Sequence, residues 1–140
     1  MIVYLVRHAR AGKRGEWDGE DRLRPLDERG RRQADALVGQ LADRDFSRIV
    51  SSPYLRCVES VVPLAQAREL ELERSDALSE SAGVEPALAL FAAADTPLVA
   101  CVHGDLVEAL LGEKARKGST TVIEVTGERV VVLERIEAQA

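Results

Sequence analysis

Apolar residues fall along this chain in two rhythms, and the alternation between them predicts its elements. "IVYLV" at residues 2–6 and "PLVACV" at 97–102 are nearly unbroken apolar runs rich in β-branched side chains, as in short strands buried on both faces. "RIVSS" at 48–52 and "LELER" at 70–74 predict two more strands. Residues 26–43, "LDERGRRQADALVGQLAD", have helical spacing: Asp27 is placed to cap, and Ala34, Leu37, Val38 and Leu41 form one stripe. Gly30 reads as a weak point inside that helix. Pro53 is expected to open a second helix running to about Arg68, with Leu55, Val58, Val62 and Ala65 inward and Pro63 a candidate kink. Pro86 is expected to open a third helix over 86–95, and 105–112 is a short fourth one ending at Gly112. Two β-runs, 119–125 and 129–136, flank "TGE" and predict an antiparallel hairpin.

Strands alternating with helices predict an α/β fold: a three-layer α/β/α sandwich on a mostly parallel sheet, with the antiparallel C-terminal hairpin at one edge. Its 140 residues suit one domain over residues 1–140, and no linker, repeat or low-complexity stretch divides them. Residues 9–26 are polar, with Gly12, Gly15, Gly19 and Pro25, and read as a loop of a length that usually carries function.

Charge changes the picture. The net charge is −5, so neither a nucleic acid polymer nor an anionic membrane is an expected partner. An anion site would have to be a local gathering of Arg and Lys. The first apolar run is too short, and too soon followed by charge, for a secretory leader. No run reaches the ~20 apolar residues of a membrane span. Cys57 and Cys101 do not make a secreted disulfide framework, and a cytoplasmic setting is expected.

That gathering is found at the strand ends. "IVYLV" runs into Arg7-His8, and "PLVACV" runs into His103-Gly104; these are the chain's two histidines. In open parallel sheets, ligands bind beyond the carboxyl ends of the strands. If the two strands are neighbours, the histidines meet there. "RIVSSPYLR" ends a strand in the same way and places Arg56 in the first turn of the next helix. Two guanidiniums offer forked donors that match a phosphoryl group, and helix N-termini after Ser52 and Gly104 add dipoles of the right sign. The cations also disfavour protonation of His8, which leaves a nucleophilic nitrogen.

"LVRHA", "SSPYLRCVES", the acid in "ALSES" and "VACVHGD" follow in the order and rough spacing of the histidine phosphatase superfamily. The chain most resembles its short SixA-type branch, to which "RPLDERGRRQADAL" is also similar. "RKGSTTVIEV" resembles the phosphatase-like domain that follows a Nudix domain in some bacterial proteins. The resemblance implies His8 as nucleophile forming a phosphohistidine, Arg7, Arg56 and His103 as phosphoryl-binding groups, and Glu80 as the acid that protonates the leaving group. It implies no metal or other cofactor. The substrate would be a phosphorylated protein carrying phosphohistidine, a nucleotide or another small phosphorylated molecule. The motif departs from the family at Ala9, where glycine is usual. A phosphate-binding regulatory module without turnover is the competing class.

Around this set, Arg10 and Arg24 are the substrate-binding candidates in a basic rim with Lys13, Arg14 and Arg22, with Gly104 beside them; the alternative is a solvated loop. Asp105 and Glu108 are rivals to Glu80. Trp17 would stack on a ring or anchor the loop. Lys117, Gly118 and Ser119 read as a turn that could touch a substrate. Other phosphate chemistries do not fit. Val107 and Pro63 stand where a cysteine phosphatase would need arginine six residues after Cys101 or Cys57, and Arg7 stands where a P-loop ahead of Gly12-Lys13 needs glycine. No zinc-spaced cluster and no Nudix-type run of glutamates is present.

Overall fold

Six strands form one sheet in the order β3-β2-β4-β1-β5-β6. They are β1 (Ile2–Arg7), β2 (Arg48–Ser51), β3 (Leu72–Arg74), β4 (Leu98–Val102), β5 (Thr120–Thr126) and β6 (Arg129–Ile136). The structure is a computed structural model and describes residues 1–139. β1 to β4 are parallel to one another, while β5 runs antiparallel to β1 and β6 antiparallel to β5. Both long apolar runs are central, and their side chains alternate between two cores. Val3, Leu5, Leu98, Ala100 and Val102 face the helices α3 (Val84–Ala92) and α4 (Gly104–Leu111). Tyr4, Val6, Val99 and Cys101 face α1 (Glu28–Gln40) and α2 (Leu55–Arg68). This gives the three expected layers, and a strand covered on both faces has no need of a polar side.

The register positions the site. Val6 pairs with Cys101 and Cys101 with Ser51, so three strands end level. The ladder continues one step beyond them: His8 N–H donates to Val102 O and Ser52 N–H to Cys101 O, both at 3.0 Å. His8, Ser52 and His103 therefore leave the sheet side by side.

Three local expectations need correction. Gly30 is not a weak point but a requirement. A Cβ there would stand 1.8 Å from Arg10 O, because the chain after β1 crosses α1 at that residue. The α1 cap is as expected, with Asp27 accepting from Gly30 N–H at 2.8 Å. The second helix starts at Leu55, and its buried face is Arg56, Cys57, Val58, Ser60, Val61, Leu64 and Ala65, while Val62 and Leu55 are only half-buried. Two polar residues on the inward face turned the apolar reading aside. Ser60 shows why they are inside: its hydroxyl donates to Arg56 O at 2.6 Å and accepts Ala9 N–H at 2.8 Å, joining α2 to the end of β1. The third helix begins at Val84, so Pro86 lies in its first turn, where no amide donor is needed. The polar loop is also more ordered than its composition suggests. It holds 3-10 turns at Arg14–Glu16 and Asp21–Leu23, and Ala11 bridges Leu26.

Candidate active site

His8 is 6% exposed at the end of β1. Its Nδ1 lies 2.8 Å from Ala9 O, so Nδ1–H donates there and Nε2 keeps a free lone pair. Burial lowers its pKa to about 3; the Ala9 carbonyl opposes this, and His103, Arg56 and Arg7 add to the lowering. The cations thus act as the sequence suggested, but burial is the larger cause. Ala9 itself is 1% exposed, and its methyl packs with Leu26 and Ala34.

Arg7 and Arg56 flank this histidine. Arg7 Nη1 donates to Ala115 O at 2.6 Å, and its guanidinium lies flat against the backbone of Gly104. Arg56 is fully buried. A buried cation is tolerated only when paired and hydrogen-bonded. Arg56 donates to Asp21 O at 2.9 Å, meets Asp21 Oδ2 at 3.2 Å and Glu80 Oε2 at 3.4 Å, and lies 5.0 Å over the Tyr54 ring.

His103 lies deeper, at 1% exposure, with its ring centroid 5.5 Å from that of His8. The Ser52 hydroxyl accepts Tyr54 N–H at 3.2 Å and lies 2.8 Å from His103 Nε2. His103 Nδ1 is buried without a hydrogen-bond partner and lies 4.0 Å from Glu80 Oε2. Cys57 Sγ is 3.5 Å from Nε2.

Among the described residues, four buried side-chain nitrogen or oxygen atoms lack a partner, and three of them are Arg7 Nε, Arg56 Nε and His103 Nδ1. Each such group costs about 1–3 kcal/mol. Native interiors hold few, so three unpartnered nitrogens beside one neutral histidine single out this edge of the sheet.

An open cleft of about 1150 Å³ leads to this point, lined by Arg7, His8, Arg56, Glu80 and Gly104 among others. Glu80 stands at its edge, held by Arg14 Nη2 at 3.1 Å as well as by Arg56. Asp105 Oδ2 accepts Ser81 N–H at 2.8 Å and so ties the Glu80 segment to the start of α4. Asp105 thereby positions its rival, while Glu108 lines the cleft as an exposed helix residue.

The structure therefore brings Arg7, His8, Arg56, Glu80, His103 and Gly104 together as the sequence suggested. Arg10 and Arg24 both line the cleft. Arg10 Nε pairs with Asp27 Oδ2 at 2.9 Å. Arg24 is buried; its Nε meets Asp21 Oδ1 at 3.1 Å and its Nη1 bonds Gly12 O, so it also braces the loop. Trp17 Nε1 donates to Glu20 O at 2.8 Å, which anchors that loop too. Sequence reasoning missed Ser52 and Asp21 as partners of His103 and Arg56. Ser52 stood in a quoted motif, yet nothing in its spacing reveals a hydroxyl aimed at a residue 51 positions away. Among the described residues, no group of three or more His, Cys, Asp or Glu side chains is arranged to hold a metal ion, and no helix is long and apolar enough to cross a membrane.

Comparison with known proteins agrees with this geometry. An 8-oxo-(d)GTP phosphatase of Mycolicibacterium smegmatis is 33% identical over 147 aligned residues, covering 92% of this chain and 46% of that protein. The chain thus spans about half the length of that relative. Among solved structures, the protein histidine phosphatase SixA complexed with tungstate superposes with a TM-score of 0.81 at 19% identity, covering 98% of this chain and 97% of the other. The α-ribazole phosphatase of Shigella flexneri gives 0.73 at 15% identity, covering 95% of each chain. At these identities the two structures share the fold. Residues 3–85, more than half of the chain and a span that includes Arg7, His8 and Arg56, match the model of the histidine phosphatase superfamily (branch 1), and the chain belongs to that superfamily.

Proposed function

We propose that this chain is a phosphatase that works through a phosphohistidine on His8 and needs no metal. The observation that carries the reading is the trio of buried, unpartnered nitrogens, Arg7 Nε, Arg56 Nε and His103 Nδ1, beside a histidine kept neutral. Phosphoryl transfer depends mainly on positioning and on charge stabilisation at the equatorial oxygens. The two arginines and His103 supply both. His8 Nε2 attacks phosphorus with its lone pair, and the bond from phosphorus to the leaving group breaks with its electrons going to that group. Glu80 gives the leaving group a proton where it needs one. Water then attacks the phosphohistidine, Glu80 takes the water's proton, the P–N bond returns its electrons to Nε2, and phosphate leaves.

Two substrate classes fit a cleft this open. The resemblance to SixA-type proteins supports phosphohistidine on a protein. The relative at 33% identity supports a nucleotide or another small phosphorylated molecule. The catalytic reading is tested by hydrolysis of an aryl phosphate with chelator present, by the wild type and by His8→Ala. Release that disappears in the variant supports it. Equal release from both proteins contradicts it, and saturable phosphate binding with no release from either moves the assignment to a regulatory binding module.

A further inference from the structure

Beside the cleft opens a second groove of about 400 Å³. Its walls carry five cations, Arg7, Arg10, Arg29, Arg116 and Lys117, against one acid, Glu137. In a chain of net charge −5 this excess runs against the global field. Arg7, Arg10 and Lys117 also line the cleft, so the two spaces are adjacent. Burial lowers the pKa of Lys117, and the nearby cations Arg7, Arg24 and Arg10 lower it further, while Asp27 partly opposes them.

The basic turn is built onto the catalytic strand. Gly118 N–H donates to Arg7 O and His8 O, both at 3.0 Å, and Arg7 N–H donates to Ser119 O at 3.0 Å. Arg7 Nη1 reaches Ala115 O, and Ser119 Oγ donates to Arg116 O at 2.6 Å. Gly118 has φ +83°, a conformation that favours glycine and that turns the chain back toward β5. The backbone that carries Arg116 and Lys117 is thus tied to Arg7 and His8. A single transferred phosphoryl group is already served by Arg7, Arg56 and His103, which leaves Arg116 and Lys117 without a role in that step.

We propose that Arg116 and Lys117, with Arg10, form a subsite for a second phosphate that is not transferred, so that the preferred substrates are phosphoanhydrides. The inference rests on His8 being the nucleophile. His8 Nε2 takes the terminal phosphoryl group, the bridging P–O bond breaks, and its electrons stay on the bridging oxygen of the departing phosphate. That oxygen is stable as an anion, and the adjacent cations stabilise it further. Arg7 belongs to the walls of both spaces, so two phosphates joined by one bridging oxygen suit the pair better than phosphates held far apart on one molecule.

The test is calorimetric binding to the full chain carrying His8→Ala, which prevents turnover. Inorganic pyrophosphate, a nucleoside diphosphate and a sugar bisphosphate with separated phosphates are compared with orthophosphate. Pyrophosphate and the nucleoside diphosphate are expected to bind at least tenfold more tightly than orthophosphate, and the bisphosphate less than threefold. Adding Arg116→Ala and Lys117→Ala should bring the pyrophosphate-to-orthophosphate ratio below threefold; Lys117→Gln alone should lower it partway. Equal binding of pyrophosphate and orthophosphate, a preference that survives both substitutions, or equal preference for the bisphosphate would overturn the subsite. Failure of the catalytic reading looks different: the pyrophosphate preference persists, but wild-type protein turns over neither diphosphate nor aryl phosphate.

Discussion

Replacing Gly104 with alanine puts a methyl group where the Arg7 guanidinium lies. The new Cβ would stand 2.7 Å from Arg7 Cζ and 2.9 Å from Nε and Nη2. Ordinary contact begins near 3.4 Å, so the guanidinium must retreat by about 0.7 Å. It cannot swing freely, because Nη1 is held to Ala115 O at 2.6 Å. Misplacing a positioning group by about 1 Å costs on the order of 100-fold in rate, or about 2.7 kcal/mol of transition-state stabilisation. The helix itself does not suffer: alanine is the better helix former by up to about 1 kcal/mol. Gly104→Ala should therefore lower kcat/KM for an aryl phosphate by about 100-fold while the melting temperature stays level or rises. A variant within threefold of wild type would show that Arg7 does not hold the reacting group in the position the structure gives it.

Gly30→Ala should act on stability instead. Its Cβ meets backbone at 1.8 Å, no side chain can yield, and overpacking of this kind costs about 1–3 kcal/mol. Thermal denaturation would show a melting temperature lowered by several degrees, and an unchanged one would refute the close approach. Glu80→Gln should slow alkyl phosphates far more than aryl phosphates, because only the poorer leaving group needs its proton; equal losses on both would assign Glu80 a binding role. His8, with its pKa lowered to about 3, should keep a neutral-imidazole resonance down to about pH 5, and a midpoint near the ordinary 6.5 would contradict its burial. The same shift has a defined sign for stability. Below about 6.5 the unfolded chain takes up a proton that the folded His8 refuses until about 3. Stability should therefore fall as pH drops through that window, and His8→Asn should flatten the slope.

The parts legible in the sequence were those with one-dimensional signals. Apolar runs marked β1 and β4 as central, and their ends delivered His8 and His103 to one edge because parallel strands finish at the same side of a sheet. Arg56 was legible through its place after a strand and a proline. What the sequence concealed depends on approach in space. The carbonyl that makes Gly30 obligatory belongs to Arg10, on another segment. The inward face of α2 includes Arg56 and Ser60, polar groups whose partners are distant in the chain, so apolar periodicity pointed at Val62 instead. The burial of Arg24 was hidden as well, because the Gly12 carbonyl that it bonds lies twelve residues away across the loop. Only part of the His8 shift was legible for a similar reason: neighbouring cations can be read from letters, whereas burial, the largest cause, comes from the assembled sheet.

The central claim is covalent, so the most direct test is to trap the covalent species. Wild-type protein would be mixed with substrate for a short time, denatured without acid, digested and weighed by mass spectrometry. The account predicts one added phosphoryl group on the peptide that holds His8, labile to acid and stable to base, and none in His8→Ala. Turnover without any phosphorylated peptide, or a phosphoryl group attached to another residue, would contradict it.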